Sequence, residues 1–258
     1  MTAFHLLVVG DEILSGKRQD RHIPRVIELL AARGLALDGV ELVGDDEAAI
    51  AAAIARRQSP EAVLFSCGGI GATPDDRTRQ AAARAFGCPI ERHPEAEALI
   101  LAEYGDRARP NRVLMADFPR GARLIPNPVN RVAGFALARS YFVPGFPDMA
   151  WPMLEWVLDG ELRTLHVADP PVEYRLRALG SAAEGDLLAL MEAVLARFEG
   201  VSLSSLPFRG DAQRPRHIEF GIKGPRERAA AAFLWFRERL RAEAGLPVED
   251  LALPPGAQ

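Results

Sequence analysis

Three times before Gly87 a short apolar run passes through a turn into a segment with helical spacing, and this repetition restricts the fold more than any single motif. Phe4–Val9 leads through Gly10-Asp11-Glu12 to Ile23–Ala32, whose apolar residues Ile23, Val26, Ile27, Leu29 and Leu30 fall on one helical face. Leu35–Val43 alternates as a strand does, and Asp45-Asp46 caps an alanine-rich helix reaching Gln58. Ala62–Phe65 is a third strand and Asp76–Phe86 its helix. Strands alternating with helices of this length predict an α/β fold, a mostly parallel sheet covered on both faces.

Pro94–Tyr104 has helical spacing, and the Pro-, Gly- and Arg-rich region after it predicts loops around short strands at Arg123–Ile125, Phe135–Leu137 and Tyr141–Val143. Pro144-Gly-Phe-Pro147 turns into a helix over Asp148–Leu158, with Pro152 placed near its first turn, where proline is tolerated. After Gly160 the pattern becomes strand (Glu173–Leu179), helix (Glu184–Phe198), strand (Val201–Leu206), strand (His217–Ile222) and helix (Arg226–Glu243). That order predicts a small α+β domain with helices on one face of an antiparallel sheet, and hence two domains, 1–160 and 161–258. The loop Pro207–Pro215 is a connection without evident chemistry.

Composition narrows the partners. With 258 residues and 48% hydrophobic content the chain can bury one large core or two smaller ones. No apolar run approaches the ~18 residues of a membrane span, and Met1–Gly10 lacks the basic start of a signal peptide. Two cysteines, Cys67 and Cys88, make neither a metal-ligand spacing nor a disulfide scaffold, so a reduced, cytoplasmic protein is expected. A net charge of -4 without a basic run predicts no nucleic-acid partner.

The chemistry concentrates at Ser66-Cys-Gly-Gly-Ile-Gly-Ala-Thr-Pro-Asp-Asp76. At the carboxyl end of a parallel strand, the N–H groups of Gly68, Gly69 and Gly71 are placed to surround an anion, with the next helix adding its positive end. The run is neither a lysine-bearing P-loop nor a dinucleotide fingerprint. Thr73 as N-cap, Pro74 in first helical position and Asp76 three residues after the cap also make a sound helix start, which accounts for those residues but not for the glycines. Asp11 and Glu12 end the first strand on the same sheet edge, and Asp45 and Asp46 end the second, where at least one caps the helix. Carboxylates repel a phosphate unless a cation lies between them. Mg²⁺, which binds one or two carboxylates together with phosphate oxygens, would reconcile the two and activate a water.

These motifs resemble a known family. Gly10-Asp-Glu-Ile-Leu-Ser-Gly16, Gly44-Asp-Asp-Glu47 and Gly68-Gly-Ile-Gly-Ala-Thr-Pro-Asp-Asp76 resemble the molybdopterin-binding domain of the MoaB/Mog type, in the version that opens competence/damage-inducible protein A (the CinA family). Asn127-Pro-Val129, Gly134-Phe135 and Val143-Pro-Gly-Phe-Pro147 agree with that version, and residues 161–258 look like its small second domain, without the deamidase domain that often follows. The resemblance implies a three-layer α/β/α fold, a homo-oligomer, and a small-molecule nucleotide or pterin phosphate as ligand. It implies metal-dependent hydrolysis of a nucleotide pyrophosphate such as ADP-ribose, or alternatively molybdopterin binding without chemistry or molybdopterin adenylyl transfer. Carried over by position, Asp11 and Asp76 are the catalytic candidates. Ser66, Gly68, Gly69, Gly71, Thr73 and His22 are candidates for phosphate or pterin binding, and Asp11, Glu12, Asp45, Asp75 and Asp76 for Mg²⁺ or another divalent cation. His22 replaces a usual asparagine, Ser66-Cys67 a usual threonine start, Asn130 a common glycine and Ala133 a frequent proline.

Other residues divide between structure and site. His5 reads as structural, Cys67 as a small buried residue, Trp151 and Trp156 as core or inter-subunit packing, and Trp235 and Phe236 as packing of the second domain. Arg18, Arg21, Arg77 and Arg79 are either phosphate forks or ordinary helix-surface charges.

Overall fold

The computed structural model describes residues 2–180 and 182–254, and the chain divides after Val167 into two compact units. The division falls seven residues beyond the change of pattern at Gly160, because the turn Arg163–Leu165 belongs to the first unit. That unit runs β1 (Ala3–Val9), α1 (Asp11–Leu14), α2 (His22–Ala31), β2 (Gly39–Val43), α3 (Glu47–Ala55), β3 (Ala62–Cys67) and α4 (Thr78–Phe86). It continues with β4 (Ile90–Arg92), α5 (Pro94–Tyr104), β5 (Asp117–Pro119), β6 (Arg123–Ile125), β7 (Gly134–Leu137), β8 (Ser140–Val143) and α6 (Pro147–Asp159).

Six strands form one sheet in the order β2-β1-β3-β8-β7-β6, parallel from β2 to β8 and antiparallel beyond. β3 is buried at every position, as a central parallel strand must be, which is why its sequence is a continuous apolar run. Alternate residues of β1 serve opposite layers. Phe4, Leu6 and Val8 pack with Val26 and Leu30 of α2 and Leu154 of α6, while Leu7 and Val9 pack with Ile50 and Ile54 of α3 and Ala82 of α4. This is the three-layer α/β/α arrangement. Leu30 is fully enclosed, and Leu30→Ala would cost about 2–5 kcal/mol.

The second unit contains β9 (Val172–Leu179), α7 (Leu188–Arg197), β10 (Ser202–Phe208), β11 (His217–Gly224), α8 (Arg226–Ala242) and β12 (Val248–Ala252). Its antiparallel sheet has the order β10-β11-β9-β12, and Leu176, Phe220 and Ile222 pack against Phe233, Phe236 and Leu240 of α8, with Trp235 partly buried beside them. No described helix is long and apolar enough to cross a membrane.

Several boundaries differ from expectation. The third helix begins at Thr78, not Asp76, because residues 73–76 close on themselves: the Asp76 N–H donates to the Thr73 carbonyl at 3.0 Å and the Thr73 N–H to Asp76 Oδ2 at 2.8 Å. Thr73 therefore caps no helix, and Pro74 occupies a turn. Pro152 lies inside α6, past its first turn. The segment before α7, Glu184–Leu187, is a 3₁₀ turn.

Candidate functional site

Four loops at the carboxyl ends of β1, β2, β3 and β8 surround a cleft of about 420 Å³. Its walls are Gly10 and Glu12, Asp45, the run Gly68–Thr73 with Asp75 and Asp76, and Pro144–Phe146. Asn127 and Asn130 close one side, and Met115, Val132 and Met149 supply apolar surface.

The glycine loop is shaped by close backbone contact. Gly68 has φ +109°, and a Cβ there would lie 2.3 Å from the carbonyl oxygen of Val9. A Cβ on Gly145 would reach the Gly68 Cα at 3.4 Å, so two loops meet backbone to backbone. The loop carbonyls are committed to the start of α4. The Thr78 hydroxyl donates to Gly68 O and its N–H to Gly69 O, both at 2.9 Å, and Arg79 Nη2 donates to Gly71 O at 2.6 Å. The N–H groups of Gly69, Ile70, Gly71 and Ala72, by contrast, donate to no group among the described residues. Four consecutive donors thus belong to residues that line the cleft, the arrangement of an anion-binding nest.

Arg79 is neither a phosphate fork nor a surface charge. It is 4% exposed, and besides Gly71 O it donates to the carbonyls of Leu114 and Asp117 without a carboxylate in ion-pair reach among the described residues. Burial lowers its pKa from the ordinary arginine value, partly countered by Asp117 and Asp76. The guanidinium thus props the glycine loop from beneath. Of the other arginines singled out, Arg18 lines the cleft, Arg21 lies over the Trp151 ring at 5.4 Å, and Arg77 is exposed at the start of α4.

Glu12, Asp45, Asp75 and Asp76 all line the cleft, whereas Asp11 stands behind Asp45. The Asp11 N–H donates to Asp45 Oδ2 at 3.0 Å and the Asp45 N–H to Asp11 Oδ1 at 3.3 Å, locking the ends of β1 and β2 together. Asp46 caps α3 through the Ala49 N–H at 2.8 Å, which leaves Asp45 for the cleft. Partial burial raises the Asp45 pKa above the usual carboxylate range; the N–H donated by Asp11 works against this, and the charges of Asp11, Glu12 and Asp75 add to it. Asp76 Oδ2 accepts from both the N–H and the hydroxyl of Thr73, while its Oδ1 has no partner among the described residues. No three described His, Cys, Asp or Glu side chains converge closely enough to cage a metal unaided.

A family model described as "probable molybdopterin binding domain" matches residues 5–164. The chain belongs to this molybdopterin-binding family. A CinA-like protein of Anaeromyxobacter dehalogenans (strain 2CP-C) is 30% identical over 249 residues, covering 91% of this chain and 58% of that protein. A CinA-like protein of Citrifermentans bemidjiense is 34% identical over 192 residues, covering 71% of this chain and 46% of that protein. The chain thus spans about half the length of the curated relatives it matches. The crystal structure of CinA from Thermoplasma acidophilum, a protein of unknown function, superposes with a TM-score of 0.56 at 27% identity over 61% of this chain and 98% of that one.

Besides Asp11, expected to act in catalysis and to bind metal, two residues expected to touch phosphate or pterin in this molybdopterin-binding domain lie outside the cleft lining. Ser66 is fully buried within β3, its hydroxyl without a partner among the described residues. His22 is 5% exposed at the start of α2, with Nε2 3.1 Å from the Gly145 carbonyl. A carbonyl only accepts, so Nε2 carries the proton; burial lowers the His22 pKa, outweighing that hydrogen bond. His22 therefore holds the Pro144–Phe146 loop against Gly68 instead of contacting a ligand. Cys67 is buried in the core and its thiol pKa is pushed far up by burial, which leaves no nucleophile there. His5 lies within β1, away from the cleft.

Asn127 and Asn130 were visible in sequence only as family-pattern positions. Asn127 Nδ2 donates to Asn130 Oδ1 at 2.8 Å and to Val132 O at 3.0 Å, and Asn130 Oδ1 also accepts the Val132 N–H at 3.1 Å. The apolar contributors Met115 and Met149 carried no sequence signal, because an apolar residue lining a cleft is spaced like one filling a core.

Proposed function

We propose that this molybdopterin-binding domain seats the phosphate or pyrophosphate of a nucleotide or pterin on its glycine loop and, with a divalent cation, hydrolyses a nucleotide pyrophosphate such as ADP-ribose. The observation that carries the reading is the row of unpartnered N–H donors at Gly69–Ala72, in one cleft with four carboxylates. Such a row favours an anion, and the carboxylates then require a cation to accompany it.

The donor set fits a hard divalent ion delivered with the phosphate, since Mg²⁺ uses one or two protein carboxylates and fills its shell with phosphate oxygens and water. One or two of Glu12, Asp45 and Asp75 would hold it, and when bound it supplies positive charge that polarises the phosphoryl group. The remaining roles belong to the chain. The loop N–H groups bind phosphate oxygens, and the Arg79 charge beneath the loop favours the anion. Asp76 Oδ1 is the base that takes a proton from the attacking water. Water adds to phosphorus and the bridging P–O bond breaks, giving AMP and ribose 5-phosphate. Asp11 positions Asp45, and His22 positions Gly145. The apolar surface of Met115, Val132 and Met149 accommodates a flat ring. A homo-oligomer is part of the same proposal, with Trp156 on α6, 44% exposed, as a contact; a monomer mass by light scattering would oppose it.

The apolar wall suits a pterin as well as an adenine, so binding without chemistry is the second reading. Incubation with ADP-ribose and Mg²⁺ or Co²⁺ should release AMP and ribose 5-phosphate, and Asp76→Asn should stop the release in a folded protein. Absence of turnover across a dinucleotide panel and several metals would overturn hydrolysis. A fluorescent oxidised pterin released on denaturation would then select the binding reading, and ATP consumption dependent on added molybdopterin would select adenylyl transfer.

A further inference from the structure

A second hollow, of about 290 Å³, lies at the opposite end of the same central strands. β3 begins at Ala62 and β8 at Ser140, both of which line it, whereas the cleft follows Cys67 and Val143. Its wall comes from the loop after α3, the end of α4 and the β7–β8 turn, with Arg57 and Arg139 as its charged residues and Pro60 and Phe86 as apolar surface. No carboxylate lines it.

Neither arginine has an ion-pair partner among the described residues, although carboxylates serve the arginines around them. Arg56 pairs with Glu41, Arg123 pairs with Glu161 at 2.7 Å, and Glu61 in the adjoining loop accepts the Ser59 hydroxyl at 2.9 Å. Arg139 is fixed by donation from Nε to the Ala62 carbonyl at 3.3 Å, and its enclosed Nη2 has no partner among the described residues. The turn that presents Arg139 is strained. Only Ala138 and Arg139 connect the paired Leu137 and Ser140, and Ala138 takes φ +51°, a conformation that hairpins usually assign to glycine or asparagine. Strain of this kind persists where the surroundings over-determine the backbone, and it concentrates at binding sites.

We propose that this hollow is a second ligand site, for a phosphomonoester carried on a small apolar body. Two guanidinium groups without carboxylates supply the charge, and Arg57 the forked donors, that a phosphate dianion matches, and Phe86 and Pro60 take the apolar part. The site is independent of the chemistry proposed for the cleft.

The test is an amide-resolved NMR titration of the full chain with phenyl phosphate, run beside phenol and benzoate. Phenyl phosphate should shift the amides of Ser59, Glu61 and Ala62 and of Ala138–Ser140, saturating in the millimolar range and weakening at high salt. Arg57→Gln should weaken that response about tenfold, the loss of a charged hydrogen-bond donor, with the rest of the spectrum in place. Arg139→Lys, which keeps the charge, should weaken it less. If those amides stay still in phenyl phosphate, or respond equally to phenol, the proposal fails; an equal response to benzoate would overturn the phosphate assignment. An unchanged response in Arg57→Gln would also overturn it.

Discussion

Two aspartate pairs follow β2 and β3, the strands that flank β1 in the sheet, and they are used differently. After β2, the helix begins at once, so Asp46 is consumed as its cap and Asp45 is left facing the cleft. After β3, the helix is delayed to Thr78, so neither Asp75 nor Asp76 caps it, and Asp76 folds back on Thr73 beside Gly71. The delay comes from Gly68 and Gly69, whose positive φ angles turn their carbonyls to Thr78 and leave the following N–H groups free. The distance between strand end and helix start thus decides whether a carboxylate stabilises the fold or serves the site.

The largest effect that would sharpen the contrast is on turnover. Asp76→Ala should slow hydrolysis by about 100-fold or more, the usual contribution of a positioned base, as initial rates with ADP-ribose would measure. Asp46→Ala should leave those rates unchanged. The next effect is on stability. Gly68→Ala places a Cβ 2.3 Å from the Val9 carbonyl in a φ +109° conformation, and it should cost about 3 kcal/mol by chemical denaturation as well as abolishing nucleotide binding. Mg²⁺ added with nucleotide at ~100 times its Kd should stabilise the protein by ~2.7 kcal/mol, a gain that Asp75→Asn with Glu12→Gln would reduce and Asp46→Ala would not. Asp46→Ala itself should cost about 1 kcal/mol, the value of an N-cap.

The smallest effect is pH-dependent. The Asp45 carboxyl is held above its ordinary pKa, mainly by burial and further by neighbouring carboxylates, so the folded protein keeps its proton more tightly than the unfolded chain does. Stability from this group is therefore greatest below the ordinary aspartate value and falls as pH rises through the raised one. Asp45→Asn should melt slightly above the parent at neutral pH, and the difference should close in acid. A difference that grew on acidification would contradict the crowding of charge around Asp45.

Much of this was legible in the sequence because it depends on local pattern. The alternation of apolar runs and helical faces placed β1, β3, α5 and α8 within a few residues, and the glycine run announced its loop. What stayed hidden depends on contacts distant in the chain. β4 and β5 have three residues each, too short for periodicity to register. The roles of His22 and Arg79 are set by carbonyls far away in sequence, Gly145 for one and Leu114 and Asp117 for the other. Ser66 entered only by its position in the family pattern, which does not show that β3 is buried on both faces and keeps Ser66 out of the cleft lining.

The central claim is that backbone N–H groups of the glycine loop hold a phosphate. An amide-resolved NMR titration with ADP-ribose and Mg²⁺ tests it most directly. The largest shifts should fall on Gly69, Ile70, Gly71 and Ala72, and Gly68→Ala should remove them. Binding that left those four amides unmoved while shifting others would contradict the account.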